Sequence, residues 1–88
     1  MNELLDNIEK LHTTPMGVER IRRNLDLGDD IKNVVDWCCK KIALPKTNIF
    51  RKGKNWYCKI DGCVITVNAY SYTIITAHKE RLSEQIME

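Results

Sequence analysis

The stretch Gly53-Lys54-Asn55-Trp56-Tyr57-Cys58-Lys59-Ile60-Asp61-Gly62-Cys63-Val64-Ile65-Thr66-Val67-Asn68-Ala69-Tyr70-Ser71-Tyr72-Thr73-Ile74-Ile75-Thr76-Ala77-His78-Lys79 decides the fold. β-Branched and aromatic runs flank Asp61-Gly62, a dipeptide suited to the positive φ angles of a two-residue hairpin. A third such run follows a short polar segment, so the region predicts an antiparallel β-meander. Strands are expected over 54–60, 63–68 and 72–78. A shorter first strand is expected over 48–51, joined by a weaker turn at Lys52-Gly53.

The hairpin determines which side chains share a face, because strand periodicity is two. Ile60 opposite Cys63 and Cys58 opposite Ile65 put Trp56, Cys58, Ile60, Cys63, Ile65 and Val67 on one side, where helices should cover them. Asn55, Tyr57, Lys59, Val64, Thr66 and Asn68 take the other side. A three-residue loop over 69–71 pairs Asn68 with Tyr72 and adds Tyr72, Ile74, Thr76 and His78 to that second side. A slip of one residue would send Thr73, Ile75 and Ala77 there instead. The first register gathers Asn55, Tyr57, Lys59, Thr66, Asn68, Tyr72, Thr76 and His78 on one surface. Antiparallel sheets commonly keep one wet face, which is the ordinary reading of such a surface. Two tyrosines, a lysine and a histidine are more than solubility needs, yet less than a catalytic signature.

The helical half comes first in the chain. Leu4, Leu5, Ile8 and Leu11 recur at helical spacing and predict an amphipathic helix over 2–12. Thr14 suits an N-cap with Pro15 in the first helical position, and Val18, Ile21 and Leu25 mark the inward face of a second helix. Residues 26–30 form a turn, with Asp29 or Asp30 expected to cap a third helix running to about Ile42. Its stripe is Ile31, Val34, Val35, Cys38 and Ile42, and Pro45 ends it. Beyond Lys79, Leu82 and Ile86 have helical spacing, which suits a short C-terminal helix or a frayed tail. The expected class is α+β: two to three N-terminal helices on one face of a three- to four-stranded antiparallel meander. One domain of 88 residues is expected, with a helical half over 1–45, a sheet over 46–79 and a tail over 80–88.

Composition narrows the function classes. A net charge of +2 is too small to announce nucleic acid, so only local clustering can do that. No apolar run approaches the roughly 20 residues of a bilayer span, so no membrane partner is expected. Residues 1–6 are acidic and lack the basic start and apolar core of a signal peptide, which predicts a cytoplasmic location. The four cysteines then read as thiols rather than bridges. Cys38 and Cys39 are adjacent, pointing about 100° apart on a helix. Cys58 and Cys63 share the apolar side of the hairpin, where thiols act as small buried hydrophobes. No metal site and no cofactor are expected.

Arg51, Lys52, Lys54, Lys59 and Lys79 give the sheet edge a positive lean, and Arg20, Arg22 and Arg23 form a second cluster on helix two. Cations interleaved with aromatic rings suit single-stranded RNA, whose bases stack on rings while phosphates take the charge. Asp26, Asp29, Asp30 and Asp36 lie close to the arginines and favour a solvated helix face there.

The segment Thr14-Pro15-Met16-Gly17-Val18-Glu19-Arg20-Ile21-Arg22-Arg23-Asn24-Leu25, the turn Gly53-Lys54-Asn55-Trp56-Tyr57 and the strands Ile65-Thr66-Val67-Asn68 and Thr73-Ile74-Ile75-Thr76-Ala77 resemble a family of small bacterial proteins of unknown function. A looser likeness is to the barnase–EndoU–colicin–RelE group of small ribonucleases, which place N-terminal helices before a four-stranded antiparallel sheet. That likeness implies RNA attacked through its own 2′-hydroxyl, with Lys59, Thr76 and His78 at the catalytic positions. Asn55, Tyr57, Thr66, Asn68, Tyr72 and Lys54 are the expected ligand-binding residues.

The functional expectation is a protein that binds or acts on RNA or nucleotides through the outer sheet face. Two other classes compete. A winged helix-turn-helix would put helix three in a DNA groove, although that helix exposes Asp30, Asp36 and Trp37. A non-enzymatic module would bind a protein partner, or a second copy, through the sheet face or the edge at 47–51.

Overall fold

Asp61 and Gly62 both adopt left-handed backbone conformations, with φ of 50° and 76°, and the sheet grows outward from them. β2 (Asn55–Ile60) and β3 (Cys63–Asn68) pair in the expected register, Ile60 opposite Cys63 and Cys58 opposite Ile65. β1 (Asn48–Lys52) reaches β2 through Gly53, whose φ of 63° suits the first central position of a tight hairpin. β4 (Ile74–Lys79) completes an antiparallel sheet of order β1-β2-β3-β4. The computed structural model describes residues 3–80, so the helix or tail expected from residue 81 on lies outside the described residues.

The β3–β4 ladder departs from the expected Asn68–Tyr72 pairing, and its two halves take the two alternative facings in turn. Val64 faces His78 and Thr66 faces Thr76, but Val67 faces Ile74. Ile75 is therefore an extra residue, a β-bulge. Beyond the bulge, Thr76 and His78 share the outer face with Val64 and Thr66. Before it, Ile74 turns inward and is buried, which corrects its expected outward position.

Tyr72 is corrected with it. It has a φ of 59° and lies on the helix side, its ring centroid 5.5 Å from that of Trp56. The cause is a connection longer than three residues. Asn68 Oδ1 accepts from the backbone N–H groups of Tyr70 and Ser71, each at 2.9 Å, and the Asn68 N–H donates to the Thr73 carbonyl.

The N-terminal residues form α1 (Glu3–Asp6) and one 3₁₀ turn (Ile8–Lys10) in place of the single helix expected over 2–12. Two interactions compete with helix propensity here. Asn7 Nδ2 donates to the Glu3 carbonyl, and His12 pairs in parallel with Thr73 at the edge of β4. Its N–H donates to the Tyr72 carbonyl, and its own carbonyl accepts from Ile74. Leu11 is drawn into an extended conformation to reach that edge.

α2 (Pro15–Leu25) begins as expected, with the Thr14 hydroxyl accepting from the Gly17 N–H at 3.0 Å and Pro15 in the first turn. α3 (Val34–Ile42) starts later than expected and is capped by Asn33 rather than Asp29 or Asp30. The Arg22 guanidinium explains the delay. It donates to the carbonyls of Gly28 and Ile31 at 2.9 and 3.0 Å, which holds that segment as a loop and leaves Ile31 ahead of the helix.

α2 lies across β4, and α3 contacts both α2 and β2. Ile21, Leu25, Val34, Cys38 and Ile42 meet Trp56, Cys58, Ile65, Val67, Ile74 and Ala77 in one core, joined by Leu4 and Leu11. The architecture is α+β, with helices in the N-terminal half before a four-stranded antiparallel sheet. Among the described residues, no helix is long and apolar enough to cross a membrane.

Candidate functional site on the outer sheet face

Strand pairing builds the face opposite the core row by row. Phe50 lies beside Tyr57, Tyr57 beside Thr66 and Thr66 beside Thr76. On one side of this row Lys52, Asn55 and Asn68 align, and on the other Asn48, Lys59, Val64 and His78. The Phe50 and Tyr57 rings stack with centroids 5.6 Å apart and planes 25° apart. Phe50 is 39% exposed because nothing described lies beyond the edge strand. An open pocket of about 380 Å³ is lined by Phe50, Lys52, Gly53 and Tyr57. Lys59 Nζ sits 5.9 Å from the Phe50 ring and 3.2 Å from Glu80 Oε2.

The expected ligand-binding residues divide in this setting. Tyr57 stacks on Phe50, and Lys59, one of the expected catalytic residues, lies beside the same ring. Asn55 joins them through a long 3.5 Å contact from Nδ2 to the Tyr57 hydroxyl, and its Oδ1 is buried with no hydrogen-bond partner among the described residues. Lys54 is exposed in the turn beside Gly53. Thr66 is only 7% exposed in the middle of the sheet, so its hydroxyl offers little to a ligand. Asn68 Oδ1 is occupied by Tyr70 and Ser71, which makes Asn68 a builder of the loop. Tyr72 is absent from this face.

The expected catalytic residues are on the face but dispersed. Thr76 neighbours Thr66, while His78 and Lys59 stand on either side of Val64. Two strand spacings separate them, about 10 Å between backbones. His78 Nδ1 lies 3.1 Å from the Lys79 carbonyl, and Lys59 is paired with Glu80. No described hydrogen bond joins His78 to Thr76 or Lys59. Of the arginine cluster, Arg22 is committed to the α2–α3 loop, and Arg20 and Arg23 are exposed.

Phe50 and Lys52 were not among the expected site residues. The signal for them is the turn itself: a two-residue loop at Gly53-Lys54 pairs Lys52 with Asn55, and alternation then sets Phe50 beside Tyr57.

All four cysteines are free thiols. Burial raises Cys38 and Cys58 from 9.0 to about 12, and burial also raises Cys39 and Cys63. Protonated buried thiols are poor nucleophiles and poor metal ligands. Among the described residues, no three His, Cys, Asp or Glu side chains are grouped so as to hold a metal ion.

Fold and face together define a small α+β protein whose antiparallel sheet displays stacked aromatic rings bordered by lysines. The chain belongs to the family described as protein of unknown function (DUF3781), whose model matches residues 5–78. No curated protein and no solved structure matches the chain.

Proposed function

We propose that the outer sheet face binds single-stranded RNA or nucleotides, and that it binds without cleaving. The stacked Phe50–Tyr57 pair carries this reading. Two stacked, nearly parallel rings at an open sheet edge form a platform on which bases stack regardless of sequence. Lys52 and Lys59 border the rings, Lys54 is exposed in the adjoining turn, and together they supply the charge that phosphates require. Cleavage would need an acid and a base on the same phosphate. His78 and Lys59 are turned to other partners, the Lys79 carbonyl and Glu80, and the pocket on this face lies at Phe50 and Tyr57. Four free thiols suit a reducing compartment, which supports the expected cytoplasmic location.

Titration with single-stranded RNA at low salt tests the reading. Phe50→Ala and Tyr57→Ala should each cost roughly 1–3 kcal/mol of binding through lost stacking. His78→Ala should leave affinity unchanged, and the RNA should remain intact. RNA cleavage lowered about 10²–10⁴-fold by His78→Ala would instead establish the ribonuclease-like expectation. Absence of binding at low salt would remove the nucleic-acid reading.

A second reading is favoured by β1, which among the described residues pairs only with β2 and leaves its other backbone edge open. A partner strand or a second copy added there would extend the sheet. Concentration-dependent dimerisation in sedimentation, insensitive to Tyr57→Ala, would support it over RNA.

A further inference from the structure

A second aromatic and cationic array lies on the opposite side of the same hairpin tip. Arg51 follows Phe50 in β1 and so points to the helix side. Its guanidinium carbon lies 5.6 Å from the Trp56 ring and 5.6 Å from the Tyr70 ring. Trp56 continues the array to Tyr72, over which Lys10 Nζ sits at 5.6 Å. Trp56 is buried, whereas Tyr70 is 74% exposed. Among the described aromatic contacts, the Tyr70 ring has only the Arg51 guanidinium against it.

The loop that carries Tyr70 is held firmly. Asn68 Oδ1 accepts from the N–H groups of Tyr70 and Ser71, and Tyr72 sits at a φ of 59°, costly for a bulky residue. The Ser71 hydroxyl meets that of Thr73 at 2.8 Å, and Thr73 Oγ1 lies 3.2 Å from His12 Nε2. An exposed aromatic ring on an over-determined loop is already arranged for a stacking partner, so little ordering entropy opposes binding.

The two arrays are joined at the hairpin tip. The Ala69 N–H donates to the Lys54 carbonyl at 2.8 Å, and Arg51 Nε donates to the Gly53 carbonyl at 2.9 Å. Gly53 also lines the outer pocket with Phe50 and Tyr57. Because β1 is the edge strand, a ligand can pass from one face to the other around it. Lys52 and Lys54 flank the crossing.

From this continuity we infer that a bound single strand does not end on the outer face. It crosses the Gly53–Lys54 tip, with phosphates at Lys52 and Lys54, and stacks a further base on Tyr70 over Arg51. This inference rests on the outer-face reading and adds to it a path and a second stacking position that only a longer strand reaches.

The test is titration of fluorescein-labelled oligouridylates of three and twelve nucleotides at low salt. Tyr70→Ala should weaken the twelve-nucleotide probe roughly 5- to 100-fold, the loss of one stacked base, and leave the three-nucleotide probe unchanged. Tyr70→Phe should retain wild-type affinity, because the ring is used and the hydroxyl is not, whereas Tyr70→Leu should behave like alanine. Phe50→Ala should weaken both probes. If Phe50→Ala weakens both probes but Tyr70→Ala weakens neither, the crossing is overturned and the outer-face reading stands. If Phe50→Ala has no effect on either probe, both fall together.

Discussion

The chemistry of single residues is governed here by burial. Cys38 and Cys58 are fully enclosed between α3 and the inner sheet face, and burial pushes each thiol from 9.0 up to about 12. A thiol-specific reagent at pH 8 should therefore leave both unmodified in the native protein and modify them only after denaturation, as mass spectrometry would read. The same displacement links stability to pH. Between pH 9 and 12 the unfolded chain has lost thiol protons that the native chain keeps, so unfolding releases protons and stability falls as pH rises. Below pH 9 that contribution is fully present, and urea midpoints should decline from pH 9 upward more than in Cys38→Ala. Gly17 gives a prediction of opposite sign to propensity. Replacing a helical glycine with alanine ordinarily stabilises by roughly 0.5–1 kcal/mol. At Gly17 the new Cβ would overlap Thr13 Oγ1 and lie 3.3 Å from Thr13 Cβ, while that hydroxyl donates to the Ile74 carbonyl. Gly17→Ala should instead destabilise by about 1–3 kcal/mol in chemical denaturation. Thr13→Ala combined with it should cost less than the two single changes added, because the clash is shared.

At the scale of elements, the bulge in β4 carries the sharpest prediction. Deleting Ile75 makes Ile74 and Thr76 neighbours, with Ile74 still facing Val67 inward and Thr76 still facing Thr66 outward. The deletion should fold with unchanged faces, seen as unaltered near-ultraviolet circular dichroism. Deleting Ala77 should be far more damaging, since it drives Thr76 or His78 towards the core. The bulge also marks a boundary of what was legible in the sequence. Asp61-Gly62 is a local signal, and it delivered the β2–β3 register and the inner face from Trp56 to Val67. Thr14-Pro15 similarly announced α2. The misread features depend on partners distant in sequence. Whether residues 2–12 remain one helix depends on His12 meeting Thr73, and the start of α3 depends on Arg22 holding Gly28 and Ile31. Tyr72 and Ile74 turn inward because the connection after Asn68 uses more residues than a tight loop would. Of the candidate site, Tyr57, Lys59, Thr76 and His78 were correctly put on one face. Phe50 was missed because its register hangs on reading Gly53-Lys54 as a hairpin tip, a weaker signal than Asp61-Gly62.

For the whole molecule, charge decides how a nucleic acid would be held. The net charge is +2, so the long-range field is weak and attraction must come from cations in contact with phosphate. Many described cations are already engaged. Lys41 and Lys46 pair with Asp61, whose carboxyl they hold below its usual range, and Lys40 pairs with Asp36. Around the outer face and the hairpin tip, Lys52 and Lys54 are exposed, and Lys59 is shared with Glu80. Three phosphate contacts on a single strand predict that the logarithm of affinity falls with that of salt at a slope of about −2. Lys52→Ala or Lys54→Ala should each flatten the slope by about 0.7 and weaken all sequences alike. Glu80→Gln should raise affinity at low salt, because Lys59 is then released from its carboxylate, and the gain should vanish in Glu80→Gln combined with Lys59→Ala. Phe50→Ala should lower affinity at every salt concentration without changing the slope, since stacking releases no counterions. A slope near zero, or one unaltered by all three lysine changes, would mean that phosphates are not held at this end of the sheet.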